Sequence, residues 1–522
     1  MPFVYISHQF MRPASVCLNF CLTLCFPLLV TGAAAQTTAS NLPMPVEAVF
    51  NRSGVPVQAF SAIVMPANGG QAALVQAADR PMNPASTMKL VTTLVALEEL
   101  GPTFRWKTQV LVDKSGKKLD SYNGNLYLRG GGDPNLSLEK LGSILRSLRQ
   151  QGLRRLRGDI ILDRSYFQPE RPDVGAPQFD EYPDAYYNVI PDALLVHSNL
   201  TSISIDAGTD KIEARLNTPL DKVRLTNHLH FNELPCSAWE TEWQPPVIET
   251  ISNVADEPET AAQENQAATA TKHQPRQATK AGLDITLSGG FPRRCKITNN
   301  INILDRNQHI AHLIRALWQE MGGSWQGEVR DGKVPTSAVL LTERLSDPLA
   351  DVLRIINKQS DNVMARMLYL TLGAESASKQ AAGTLASAEA RIRQWLGRQG
   401  ISDAGLVLEN GSGLSRAERV TPQQMASLLQ VAARSNWYPE FASSLPVAAM
   451  DGTMRRRLKG SPAELRARIK TGTLKDVVAI AGFVRDTSDQ PWVVVAMINH
   501  EEAGKAKAAL DELINWVAAG RP

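Results

Sequence analysis

Hydrophobic positions fall in two textures along the chain, and the first predicts a hairpin followed by a buried helix. Residues 57–65 crowd β-branched and apolar side chains together, and a second such run covers 71–77 beyond Gly69-Gly70, the pattern of a hairpin. Asn83-Pro84 then opens a helix that Gly101-Pro102 stops. Across 87–100, Leu90, Val91, Leu94, Val95 and Leu97 leave almost no polar stripe, so this helix is expected inside the fold rather than on its surface.

From about residue 105 to 305 the texture changes to short strand-like runs at 107–113, 125–129, 159–163, 200–206 and 222–225, with a helix over 137–150. Helices return after Asn307: Ser346-Asp347-Pro348 starts one, and Thr421-Pro422-Gln423-Gln424 is a capping box that opens another. Three alternating runs, 465–471, 477–484 and 492–499, then predict an antiparallel meander, and 503–518 an amphipathic helix able to cover it. The early hairpin and the late meander are expected to share one sheet, with the β-rich stretch inserted between them.

Composition adds limits. Among 522 residues, 43% are hydrophobic and 20% charged, which predicts two or three ordinary globular domains. With 55 basic against 52 acidic residues, nothing favours a nucleic-acid partner. Residues 16–30 are apolar and end in Thr31-Gly32-Ala33-Ala34-Ala35, too short for the ~20 apolar residues of a spanning helix and suited to signal-peptidase cleavage. Residues 1–35 are therefore expected to be a cleaved signal peptide. The mature chain is expected to be exported, with no transmembrane anchor; loose membrane association stays open.

The tract 249–280, rich in Ala, Thr, Gln, Glu and Pro without an aromatic residue, reads as disordered. Cys17, Cys21 and Cys25 leave with the signal, so Cys236 and Cys295 remain, on either side of that tract. In an oxidising compartment a disulfide is the default expectation, and two buried thiols are the alternative.

Three short motifs carry chemistry. Ser86 and Lys89 stand at i and i+3 at the start of the buried helix, on one face. A serine hydroxyl is a weak nucleophile until a base takes its proton, and a neutral lysine can serve. A lysine at its usual ~10.4 is charged at pH 7, so such a site must depress it by desolvation or a nearby cation. The spacing itself is unspecific, since Ser115/Lys118, Ser137/Lys140 and Ser376/Lys379 repeat it. Context sets Ser86 apart.

Ser360-Asp361-Asn362 interrupts helical stretches at 348–358 and 363–372, where the same residue types equally serve as a capping turn. Lys470-Thr471-Gly472-Thr473 ends a strand. Its lysine offers a cation, its glycine lets a substrate backbone approach, and its hydroxyls can bond a carboxylate. His309/His312 and His228/His230 have no third ligand nearby in sequence, so no metal or cofactor is expected.

In this order the three motifs are the signature of penicillin-recognising acyl-serine enzymes. The chain resembles the low-molecular-mass class C penicillin-binding proteins, serine-type D-alanyl-D-alanine carboxypeptidases and endopeptidases, over nearly its whole mature length. Residues 409–416 (Glu-Asn-Gly-Ser-Gly-Leu-Ser-Arg) and 129–134 (Arg-Gly-Gly-Gly-Asp-Pro) resemble further stretches of that family.

The resemblance implies an α+β fold. A penicillin-recognising serine transpeptidase/β-lactamase-like domain, an antiparallel sheet flanked by helices, would be formed by 36–105 and 306–522, with a large β-rich insertion at 106–305. It implies Ser86 as nucleophile, Lys89 as its base, and Ser360 and Asn362 passing protons and holding the substrate amide. Lys470, Thr471, Gly472 and Thr473 would meet the terminal carboxylate, with the N–H groups of Ser86 and Thr473 as oxyanion hole. Asp163 and Arg416 match positions that in some members meet the peptide's diamino-acid side chain; where those members carry Gln, this chain has Lys475.

The implied substrates are periplasmic peptidoglycan peptides ending in D-Ala-D-Ala, with β-lactam antibiotics as covalent inhibitors. The alternatives are a β-lactamase, disfavoured because no Glu-x-x-Leu-Asn follows Ser360, and an inactive wall-binding scaffold.

Overall fold

The computed structural model describes residues 41–113, 120–177, 179–251, 282–376, 383–520 and 522. The expected signal peptide, nearly all of the 249–280 tract, and Ser115, Lys118 and Lys379 lie outside them.

The long apolar runs near the two ends of the chain come together as one five-stranded antiparallel sheet. Its order is Ala467–Leu474, Val477–Arg485, Pro491–Asn499, Phe60–Pro66, Leu74–Gln76. Phe60–Pro66 pairs with Pro491–Asn499 along its length, from Phe60 opposite Ile498 to Pro66 opposite Trp492. Side chains alternate between faces along a strand, and here both faces are buried. Ile63, Ala481, Val495 and Met497 pack on the side of the Lys89–Leu100 helix. Ala62, Val64, Ile480 and Ile498 pack on the side of Met44–Asn51 and Lys507–Ala518. Strands covered twice carry continuous apolar runs rather than alternating ones, and residues 477–484 and 493–498 do so, in place of the alternation expected.

The Lys89–Leu100 helix is buried from Lys89 through Leu97, as its lack of a polar stripe predicts. A 3-10 turn, Ala85–Met88, precedes it, so Ser86 and Lys89 are joined by a tighter turn than the expected α-helical one. The Met44–Asn51 helix carries no long periodic signal; it forms because Val46 and Phe50 find the sheet.

The β-rich part is built on a second five-stranded sheet, in the order Val329–Asp331, Ile160–Asp163, Leu126–Gly130, Lys107–Val112, Val339–Leu345. The boundary expected at residue 306 is corrected by this pairing. Helix Arg306–Glu320 buries Ile310, Leu313 and Trp318 in the same apolar cluster as Leu141 and Leu145 of helix Leu138–Gln150. Val339–Leu345 runs antiparallel to Lys107–Val112. The inserted unit therefore extends from Lys107 to Leu345, and helices of the first unit resume at Leu349. Renewed helical periodicity after Asn307 marks a helix that covers the inserted sheet, not a change of domain.

Three three-stranded sheets complete the insertion: one of two-residue strands, and two larger ones. Cys236 and Cys295 are bonded beside them, with Cα atoms 5.2 Å apart. Glu249, Thr250 and Ile251 continue strand Trp243–Ile251 against Gly282–Pro292, so the first three residues of the tract expected to be disordered are strand. The strand expected at 222–225 extends as Val223–Asn232 because its partner continues to Pro292.

Candidate active site

The turn bearing Ser86 is pinned from three sides. Asn83 Oδ1 accepts from Ala85 N at 2.9 Å, Asn83 Nδ2 donates to Ser415 O at 2.9 Å, and Asn83 N donates to Asn499 Oδ1 at 2.7 Å. Two glycines let neighbouring backbone press against it. A Cβ at Gly472 would stand 2.7 Å from the Pro84 carbonyl oxygen, and one at Gly413, where φ is +80°, 1.9 Å from that of Ala85. Distances this short exclude any side chain at either position.

Lys89 is fully buried. Its Nζ lies 3.0 Å from Ser86 Oγ, 2.6 Å from Asn362 Oδ1 and 2.5 Å from Ser412 O. Burial pulls its pKa down to about 7; Asp361 and Glu418 oppose that fall and Arg366 adds to it. The geometry suits the neutral amine. Two carbonyl oxygens, those of Asn362 and Ser412, can only accept, so they take its two N–H groups. The remaining lone pair is left to face the Ser86 hydroxyl.

Ser360 and Asn362 are placed by the break between two helices. Ser360 closes Leu349–Gln359 in a left-handed conformation with φ +61°, its N–H donating to Ile356 O. Asp361 caps the next helix, accepting from Met364 N at 2.8 Å, which makes Asn362 that helix's first residue. Lys470 Nζ, fully buried, donates to Ser360 Oγ at 2.9 Å and to Thr471 O at 2.9 Å. Burial, and then the charge of Lys89, hold Lys470 well below an ordinary lysine. Two linked pairs result: Lys89 with Ser86, and Lys470 with Ser360.

A cleft of about 900 Å³ opens on this group, lined by Ser86, Ser360, Asn362, Thr473, Arg416 and Lys475 among others. The insertion supplies part of its wall through Phe179 to Tyr182, and the Arg416 guanidinium lies 5.3 Å over the Phe179 ring. Thr471 donates its hydroxyl to Thr453 Oγ1 at 2.8 Å and is not among the lining residues.

Asp163 requires a correction: it is not a cleft residue. It is buried at the end of strand Ile160–Asp163, where its carboxylate accepts from Ser165 N at 3.0 Å and Val334 N at 2.9 Å and pairs with Arg129 at 3.3 Å. Position in a motif does not reveal that an acid at a strand end is turned inward. The Ser137/Lys140 pair is likewise local, Ser137 capping a helix by accepting from Lys140 N. Sequence reading missed Ser412 as a partner of Lys89, and it missed Glu418 entirely. A backbone carbonyl and a lone loop glutamate give no pattern.

A serine, two buried lysines and an asparagine at the junction of an antiparallel sheet and a buried helix define the class: a penicillin-recognising serine hydrolase. The D-Ala-D-Ala carboxypeptidase 3 (S13) family matches residues 46–230 and 240–519. The chain belongs to that family, which places it among the low-molecular-mass class C penicillin-binding proteins, as the motifs imply. It is 27% identical over 501 residues to the D-alanyl-D-alanine carboxypeptidase of Actinomadura sp. strain R39, covering 94% of this chain and 86% of that protein. It is 27% identical over 437 residues to D-alanyl-D-alanine carboxypeptidase DacB of Haemophilus influenzae, covering 80% and 81%. The crystal structure of penicillin binding protein 4 from H. influenzae superposes with a TM-score of 0.70 at 22% identity, over 91% of this chain and 99% of that one; the fold is shared.

Proposed function

We propose that the protein is exported to the periplasm and acts there as a serine D-Ala-D-Ala carboxypeptidase and D,D-endopeptidase on peptidoglycan peptides. It works through an acyl-serine and is blocked covalently by penicillins. The supporting observation is Lys89, whose buried Nζ lies 3.0 Å from Ser86 Oγ with the carbonyl oxygens of Asn362 and Ser412 placed to take its N–H groups.

Ser86 Oγ attacks the carbonyl between the last two D-alanines as Lys89 takes its proton. The N–H groups of Ser86 and Thr473 hold the oxyanion, each such donor worth ~3–4 kcal/mol. The C–N bond breaks, the proton taken from Ser86 passes from Lys89 through the Ser360 hydroxyl to the D-alanine amine, and water later attacks the ester, returning a proton to Ser86 and releasing the acyl group as a carboxylate. Thr473 and Lys470 meet the terminal carboxylate, and Arg416 in the cleft wall meets the peptide's diamino-acid side chain. Among the described residues no helix is long and apolar enough to cross a membrane; the proposed route of export is the apolar run at 16–30.

Mass-spectrometric location of the acyl group after penicillin treatment tests this. The expected result is one acyl group on Ser86, lost in Ser86→Ala, with D-alanine released from a pentapeptide by the wild type. Rapid turnover of the drug would identify a β-lactamase instead, and absence of any label would overturn the reading in favour of a scaffold.

A further inference from the structure

Outside the residues that line the cleft lies a carboxylate that none of the three motifs contains. Glu418 is fully buried. Its Oε1 accepts from the N–H groups of Glu409 at 3.2 Å, Asn410 at 3.0 Å and Gly411 at 2.8 Å, and its Oε2 from Gly413 at 2.9 Å. One side chain thus gathers four backbone donors of a single turn. Charge-assisted bonds of this kind are roughly twice as strong as neutral ones, and a buried carboxylate is expensive unless so satisfied.

The turn it gathers is the one that presents Ser412 O to Lys89 Nζ. The turn is also tied to the lysine's own helix, Thr92 Oγ1 donating to Gly411 O at 2.6 Å. We infer that Glu418 is a positioning residue for the reaction: by fixing the 409–413 turn it fixes the Ser412 carbonyl, and so aims the Lys89 lone pair at Ser86. This inference rests on the acyl-serine reading above.

Two effects separate this role from ordinary scaffolding. The first is aim. With the Ser412 carbonyl displaced, Lys89 loses one of the two acceptors that orient it, and misplacement of about 1 Å can cost on the order of 100-fold in rate. The second is charge. The groups facing Lys89 are Asp361 and Arg366 at the start of the Asn362–Ala374 helix, Glu418 below, and Lys470 on the sheet. Removing the carboxylate at 418 takes away one of the two groups that hold the Lys89 pKa up and leaves Arg366 less opposed, so the ammonium form of Lys89 is disfavoured further.

Penicillin acylation rates measured against pH in Glu418→Asp and Glu418→Gln test this. Glu418→Asp keeps the charge but cannot reach all four N–H groups. Its maximal rate is expected to fall about 10- to 100-fold with the acid limb of the pH profile unmoved. Glu418→Gln is expected to lose rate and also to move the acid limb to lower pH. If Glu418→Gln fails to fold, Glu418→Asp alone decides: a wild-type rate in the folded aspartate variant overturns the inference. A wild type that labels on Ser86 while both folded variants match it in rate and limb overturns this inference alone. A wild type that takes no acyl group overturns the reading of the site and this inference with it.

Discussion

In the unfolded chain Lys89 holds its proton to about pH 10.5, whereas in the fold burial brings it to about 7. Between those values the unfolded state binds more protons, so stability rises with pH there. The penalty from Lys89 is absent above the unfolded value, grows as pH falls between the two, and is complete below the folded one. At pH 7 the residue therefore opposes folding. Lys89→Met is expected to abolish penicillin acylation while raising the melting temperature at pH 7, read by calorimetry with and without the drug. In the wild type the acylation rate should fall about tenfold per unit below pH 7 as the base is protonated. The sequence displays this need plainly, because a serine and a lysine three positions apart on an apolar helix imply a depressed amine. It does not display the means. Ser412 contributes through its backbone, and Asp163 carries the right chemistry on a strand end that faces inward.

At the scale of elements, legibility follows punctuation. The capping box is formed as read: Thr421 accepts from Gln424 N at 3.0 Å and Gln424 Oε1 from Thr421 N at 2.9 Å. Thr421→Ala is expected to lower stability by ~1 kcal/mol, measured by urea unfolding, with acylation unchanged because the cap does not touch the cleft. The three late strands appear within two residues of their expected starts, since Pro, Gly and charged residues bound them. The edge between the two units is a different matter. Helix Arg306–Glu320 has the same apolar period whichever sheet it covers, so its packing and the pairing of Val329–Asp331 and Val339–Leu345 into the inserted sheet decide.

For the whole molecule, the disulfide and the cleft belong to different regions. Cys236–Cys295 joins positions 59 apart in sequence, and in the chain-entropy model a loop of that size contributes roughly 4 kcal/mol. The Cys236→Ser/Cys295→Ser variant is expected to unfold its insertion at lower temperature while keeping penicillin acylation within about twofold, since neither cysteine nor the small sheets line the cleft.

The pairing of Phe60–Pro66 with Pro491–Asn499 also bears on biosynthesis. The segment that brings the second buried amine to the Ser360 hydroxyl, Ala467–Leu474, is synthesised long after Phe60–Pro66, with which it shares the sheet, and non-local strand pairing is slow. A chain that lacks this strand is therefore expected to be unreactive toward penicillin. Chains truncated after residue 465 should take up no fluorescent penicillin even where the inserted unit resists protease, and uptake by such a fragment would mean that the reactive centre forms without its final strands.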